Sequence, residues 1–413
     1  MEQKASKKLE NRPKTSWLKN AIFYNILIDR FARGNGLPWL PPNENQTHFC
    51  GGDLQGIIDR LDYLQDLGIN TILLSPFHPT TAYHGYHVED LYGVDPRFGT
   101  LEILKELIAQ AHKRHIRLVM DFVLNHVSDK HPHFVDAQTK QQSRFRSWFH
   151  FTHWPKKYVS FLSYYELPKL DLGNPEVKTH ILDAAMYWLK IGFDGLRLDH
   201  VLGVPHPFLR ELHGAVTNTM PDRILIGEAA IGRLSWNDLK TLRIRHKYFI
   251  YLLSQLRINT NFFLQRQYQG ELDGVFDFFF RDMVEMFFVH RAWYKPRWLL
   301  HRILNLHHLL IQRHFSSIAL LDNLDLDRFS FLLADDVARL KEATRLLFAQ
   351  PQPIVILYGS ETGMKQAGSK WHEGWKEKPH GDVEIRRTMP WGAIDEAWFR
   401  FYKHQCDAKR KRG

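Results

Sequence analysis

The strongest constraint on the fold of this chain is an alternation. Short apolar runs of strand length recur along it, and each is followed by a stretch where apolar residues return every three or four positions. The runs are AIFYNILID (21–29), NTILLS (70–75), IRLVMDFV (116–123), DGLRLD (194–199), RILIGE (223–228), DGVFDF (273–278), a run near 318–321 and PIVILYG (353–359). NTILLS and IRLVMDFV are apolar without alternation, the pattern of strands covered on both faces. The helical stretches carry their own punctuation. Asp53 opens one with Leu54, Ile57, Ile58, Leu61 and Leu64 on a single face and Gly68 as its stop. Thr100 caps the next, whose stripe is Leu101, Leu104, Leu107, Ile108 and Ala111. Asn174-Pro175 is a cap followed by proline at the first helical position, and Gly192 ends that helix. Further helices are expected at about 206–219, around 335–348 and from Glu396. Strands that alternate with helices pair in parallel. Eight such units in 413 residues predict an α/β fold, a (β/α)8 TIM barrel carrying insertions.

One insertion stands out. Residues 127–173, after the third strand, carry HPHF, FRSWFHFTHW and an LPKLD segment without a long helical pattern. They are expected to form a small lobe at the barrel top, with 1–126 and 174–413 forming the barrel itself. The span 229–272 has room for extra helices.

Charge and cysteine content exclude several classes of function. The formal net charge of +10 would suit nucleic acid or a membrane surface, but the basic residues are scattered, apart from the tail AKRKRG (408–413). No helix-turn-helix, finger or RNA-binding signature is present, so no nucleic-acid partner is expected. No uncharged apolar stretch of about 18 residues exists, so no membrane span is expected. The polar start MEQKASKKLENRPKTSW lacks a signal-peptide core, and the two cysteines, Cys50 and Cys406, form no CxxC or Cys/His cluster. These features suggest a cytoplasmic protein with neither a disulfide framework nor a zinc site.

In a barrel the C-terminal ends of the strands surround an open mouth. The polar residues at those ends form a set. Asp121, Asn125 and His126 follow the third strand, Arg197, Asp199 and His200 end the fourth, Glu228 ends the fifth, and Asn323 and Asp325 follow the seventh. The loop after the second strand adds His84, Tyr86 and His87. Taken singly, a strand-end aspartate is usually a turn or cap, and that reading is preferred for Asp322 and Asp327. A lone histidine is more often structural than catalytic. Asp199, Glu228 and Asp325 together are different, because crowded carboxylates repel and at least one pKa rises. A protonated acid then stands beside an ionised base or nucleophile at neutral pH. Arg197, two residues before Asp199, points to the same face and can hold it ionised. This is the division of labour of glycoside hydrolysis.

The segments DFVLNH (121–126), GLRLDH (195–200), IGE (226–228) and LDNLD (321–325) resemble, in order, the four short segments of the α-amylase superfamily. GGDLQGI (51–57), AYHGY (82–86), VDPRFGT (94–100), LPKLD (167–171), YGSETGM (358–364) and RRTMPW (386–391) agree with it, so the resemblance runs from about Ala21 to Trp391. It implies retaining cleavage of α-1,4-glucosidic bonds in α-glucans or maltodextrins. Asp199 would be the nucleophile, Glu228 the general acid/base and Asp325 the carboxylate that stabilises the distorted sugar. Arg197 would orient the nucleophile, and Tyr86 would stack under the reacting sugar. His84 and His126 would bind its hydroxyls, Asp121 would shape the site and Asn323 would help place Asp325.

Three departures qualify the resemblance. Leu324 stands where the family usually has a histidine, which implies the loss of about 2–4 kcal/mol of transition-state stabilisation, the worth of one preorganised donor. Members usually carry a C-terminal β-sandwich after the barrel, and this sequence stops just past the eighth helix, so the sandwich is expected either to be absent by nature or to be cut off by truncation. In calcium-dependent members the asparagine matching Asn125 is a ligand, and Asp171 also fits, but no clear third carboxylate is present, so no cofactor is required by the sequence. Two other readings stay open. One is a transglycosylase or isomerase of the same family acting on trehalose, maltose or sucrose. The other is a non-catalytic relative that binds sugar or a protein partner.

Overall fold

The computed structural model describes residues 17–40, 48–162, 164–231, 236, 238–290, 296–312, 314–369 and 381–412. The polar start up to residue 16, and Gly413 of the basic tail, lie outside the described residues.

Three strands come first: β1 (Ile22–Ile26), β2 (Thr71–Leu74) and β3 (Arg117–Phe122). Four short ones follow, β4 (Phe151–His153), β5 (Lys157–Tyr158), β6 (Ser160–Phe161) and β7 (Tyr164–Pro168). The remainder are β8 (Gly195–Leu198), β9 (Ile224–Gly227), β10 (Gly274–Asp277), β11 (Ser316–Leu320) and β12 (Ile354–Leu357). β1, β2, β3 and β8 to β12 close into one barrel in chain order, with β12 returning to β1. Every pair in it is parallel. The eight apolar runs of the sequence are these eight strands, so the (β/α)8 barrel is the fold.

Side-chain alternation divides the buried residues into two shells. Phe23, Leu73, Val119, Ile224, Ile226, Phe276, Ile318, Leu320 and Val355 fill the barrel interior as one cluster. Ile22, Tyr24, Ile72, Leu74, Leu118, Met120, Leu196, Leu198, Ile354 and Ile356 face outward into the layer packed by the helices. The helix caps sit where the sequence puts them. Thr100 accepts from Ile103 N, and Asn174 accepts from Glu176 N with Pro175 in the first turn.

Two elements differ from the periodicity. The first run ends as a strand at Ile26, and Ile28–Phe31 is a helical turn. The stripe that starts at Asp53 is two helices, Leu54–Ile58 and Leu61–Leu67. The break comes at Arg60: Asp59 still has helical backbone angles, φ −62° and ψ −16°, and Arg60 leaves them at φ −112° and ψ 8°. Between β3 and the helix Pro175–Ile191 lie the helix Pro132–Thr139 and two antiparallel pairs, β4 with β5 and β6 with β7. Among the described residues no helix is long and apolar enough to cross a membrane. Both cysteines are free and buried.

Candidate active site

The interior face of the barrel changes character at its top. Two residues beyond Val119 on the same face is Asp121, and two beyond Ile226 is Glu228. Arg197 is the register partner of Asp121 on β3 and of Ile226 on β9, so strand pairing alone brings the cation between the acids. Its Nη1 stands 2.7 Å from Asp121 Oδ1 and 2.7 Å from Asp199 Oδ1, and its Nη2 stands 2.8 Å from Glu228 Oε2. Tyr86 donates its hydroxyl to Asp121 Oδ2 at 2.7 Å. Asp121 is thus taken up by Arg197 and Tyr86, and its part is to position both.

One guanidinium faces three carboxyls in a setting where Asp121, Asp199 and Arg197 are each at most 6% exposed. Burial pushes Asp121, Asp199 and Glu228 up, Arg197 opposes it, and the charge of Asp325 adds to the rise. A single positive charge faces three buried carboxyls, so their titrations are linked and each is harder to ionise while the others are charged. The surrounding histidines are uncharged at neutral pH. Burial pulls His126 and His200 down to about 3, and burial followed by Arg386 holds His84 well below its ordinary value. His84 Nδ1 accepts from Tyr86 N at 3.2 Å, so its proton sits on Nε2. Neither ring nitrogen of His126 makes a hydrogen bond of good geometry, although the Tyr86 main chain is close enough to oppose the fall in its pKa. His200 carries a left-handed backbone, φ 43°, directly after Asp199, a strained conformation for a residue with a Cβ.

Asp325 is reached from the other side. Asn323 Oδ1 accepts from Asp325 N at 2.9 Å, the turn expected of it. Arg386 Nη2 pairs with Asp325 Oδ1 at 2.8 Å, and Arg386 Nε donates to Leu324 O at 2.8 Å. Arg386 opens the RRTMPW segment noted in the sequence, but only the fold assigns it to Asp325. Leu324 is 3% exposed and belongs to the outer apolar cluster. Asp322 and Asp327 are structural. Asp322 accepts from Phe329 N and from Ser360 Oγ, and Asp327 accepts from Gln366 Nε2 and Ser369 Oγ, both at 2.6 Å. Phe161, at the end of β6, was also not evident from sequence. Its ring centre lies 4.8 Å from that of His126 and 4.7 Å from that of His200. It therefore roofs one flank of the mouth with an aromatic face.

The residues considered for calcium do not fit it. Asn125 Oδ1 is buried without a donor, as a ligand would be. Asp171 is turned away, with Oδ1 accepting from Gly173 N at 2.9 Å and standing 3.2 Å from His150 Nε2. Among the described residues no three His, Cys, Asp or Glu side chains converge as a metal site would require.

Comparison with known proteins agrees with this geometry. A family model described as "Alpha amylase, catalytic domain" matches residues 25–405. "Alpha-amylase 2" of Dictyoglomus thermophilum is 32% identical over 359 residues, which are 87% of this chain and 58% of that protein. "Neopullulanase 2" of Thermoactinomyces vulgaris is 30% identical over 94% of this chain and 62% of its own length. The chain thus spans less than two thirds of these relatives. Among solved structures, the cyclic α-maltosyl-(1→6)-maltose hydrolase of Arthrobacter globiformis superposes with a TM-score of 0.79 at 28% identity, over 97% of this chain and 86% of that one. With the matched family segment spanning nearly the whole barrel, and the strand-end carboxylates gathered on one arginine, the chain belongs to the α-amylase family.

Proposed function

We propose that this protein is a glycoside hydrolase that cleaves α-1,4-glucosidic bonds in α-glucans with retention of configuration. The observation that carries this reading is the gathering of Asp121, Asp199 and Glu228 on Arg197, with Asp325 close enough to raise the carboxyls. Retaining hydrolysis needs an ionised carboxylate and a protonated one facing the same bond. Asp199, on the strand that carries Arg197, attacks the anomeric carbon. Glu228, on the next strand, gives its proton to the departing glycosidic oxygen as that bond breaks. A β-glycosyl ester on Asp199 results. Glu228, now ionised, takes a proton from water, the water oxygen bonds to the anomeric carbon, and the ester bond to Asp199 breaks. Asp325, held by Arg386 and Asn323, supports the positive charge that develops on the sugar. Uncharged His84 and His126 offer N–H donors to hydroxyls without adding charge to the site. Residues 127–173 act as a small lobe over the mouth, with Phe161 as an apolar wall for the bound chain.

The purified protein is tested on maltohexaose and γ-cyclodextrin, with Glu228→Gln as the blank. Shorter sugars from the unaltered protein alone, released first as α-anomers by NMR, support the reading. Longer products at high substrate would show that a sugar replaces water in the second step. If neither protein changes these substrates, sucrose or trehalose, hydrolysis is refuted and a sugar-binding role takes its place.

A further inference from the structure

Lys169 belongs to LPKLD, the segment that closes residues 127–173, and it is 4% exposed. Its Nζ donates to Gly203 O at 2.8 Å and to Thr241 O. A Cβ built on Gly203 would stand 2.3 Å from Asn125 Oδ1 and 3.2 Å from Lys169 Nζ, so amide oxygen and ammonium press against the same point of the main chain. The main chain ties the same place together, because Leu170 N donates to Asn125 O at 3.1 Å. Lys169 Nζ thus joins the carbonyls of Gly203 after β8 and Thr241 after β9, while Asn125 Oδ1, after β3, lies against Gly203 without a donor of its own. Uncharged carbonyl and amide oxygens converging in a buried setting form an environment that favours a cation.

We propose that Lys169 takes the place of a structural metal ion: its side chain ties the loops after β8 and β9 to the segment that closes residues 127–173, so that the protein needs no calcium. A divalent ion brought to Asn125 Oδ1 would sit near the Lys169 side chain, and Asp171 faces His150 and Gly173 N instead. Burial pulls the Lys169 pKa down to about 7, so the side chain serves as an N–H donor to both carbonyls whether or not it is charged. The link has a consequence for the mouth. The turn Val201–Gly203 directly follows Asp199 and His200, and Thr241 lies downstream of Glu228. One side chain therefore fixes the loops behind two of the three carboxylates relative to the segment that carries Phe161.

Thermal unfolding tests this without any measurement of activity. The unaltered protein is expected to unfold at the same temperature in excess EDTA and in excess calcium chloride. Lys169→Met keeps the aliphatic stem and removes the donors, and is expected to unfold roughly 5 °C lower, as two buried carbonyls lose their partner. Lys169→Arg, which keeps a charge, is expected to lose less. Destabilisation of the unaltered protein by EDTA, stabilisation by calcium, or an unchanged midpoint in Lys169→Met would each overturn the proposal. If Lys169→Met does not fold, the EDTA comparison and Lys169→Arg still decide it: a chelator-insensitive parent with a folded Arg variant supports it, and a chelator-sensitive parent refutes it.

Discussion

The reach of one charge over its neighbours decides how the candidate carboxyls behave. Burial is what chiefly raises Glu228, and after the opposing Arg197 the next influence is the negative charge of Asp325. Removing that charge removes an upward push, so Asp325→Asn lowers the Glu228 pKa. Glu228 must be protonated to act as an acid, and it then loses its proton at a lower pH. The residual kcat/KM of Asp325→Asn on an activated aryl maltoside is therefore expected to fall off on the alkaline side earlier than that of the parent. An alkaline limb that stays put, or moves upward, would refute the coupling. Leu324 poses the opposite question, since it is apolar and buried beside the same carboxylate. Leu324→His is expected to raise kcat on maltohexaose by supplying a donor, and to lower stability in urea by about 1–3 kcal/mol as a polar ring is buried. A kcat that is unchanged or lower would remove the missing donor as the reason for any slowness.

At the level of elements, the glycines of GGDLQGI are explained by how closely two backbones approach. A Cβ on Gly52 would lie 2.1 Å from Ile28 O, and one on Gly56 would lie 2.1 Å from Ala32 O. The helix Leu54–Ile58 can pack on the turn Ile28–Phe31 only because these positions lack side chains. Both obstacles are backbone atoms, which cannot rotate aside. Gly56→Ala is expected to destabilise the protein by about 3 kcal/mol, read from urea unfolding. A loss below about 0.5 kcal/mol, the range of ordinary surface substitutions, would mean that this helix shifts without cost. Caps behaved as local rules say they should, since Thr100, Asn174 and Asp53 each accept a first-turn N–H. The break at Arg60 did not follow from the apolar stripe, because the stripe continues across it and only the backbone angles of Arg60 record the interruption.

Across the whole molecule, barrel closure turns residues far apart in the chain into neighbours. Asp121 and Arg197 are 76 positions apart yet 2.7 Å from each other, and Asp325 and Arg386 meet across the loops that follow β11 and β12. Strand pairing accounts for the first pair, because the parallel register sets Asp121 opposite Arg197 and alternation points both inward. Loop geometry accounts for the second, and no strand register specifies it. The same holds for Phe161 and Lys169. Each sits in residues 127–173, and each makes its contacts with loops from other strands.

The sequence by itself determined the barrel, its eight strands, and which polar residues stand at their C-terminal ends. Those features follow from local rules: apolar runs, helical stripes, caps, and a side-chain alternation that holds once a strand is assigned. It also pointed to Asp322 and Asp327 as structural, but not to their partners Ser360, Gln366 and Ser369, which lie about 40 residues further along the chain. Only the tertiary structure decided that Arg386 restrains Asp325, that Leu324 packs into the apolar layer, that Phe161 borders the mouth, and that Lys169 joins Gly203 O to Thr241 O. The contacts of Lys169 are with Gly203 O and Thr241 O, and Asn125 Oδ1 keeps no donor. These contacts join loops from different strands, and the path of a loop depends on what the assembled barrel presents to it. No periodicity in the chain records that path.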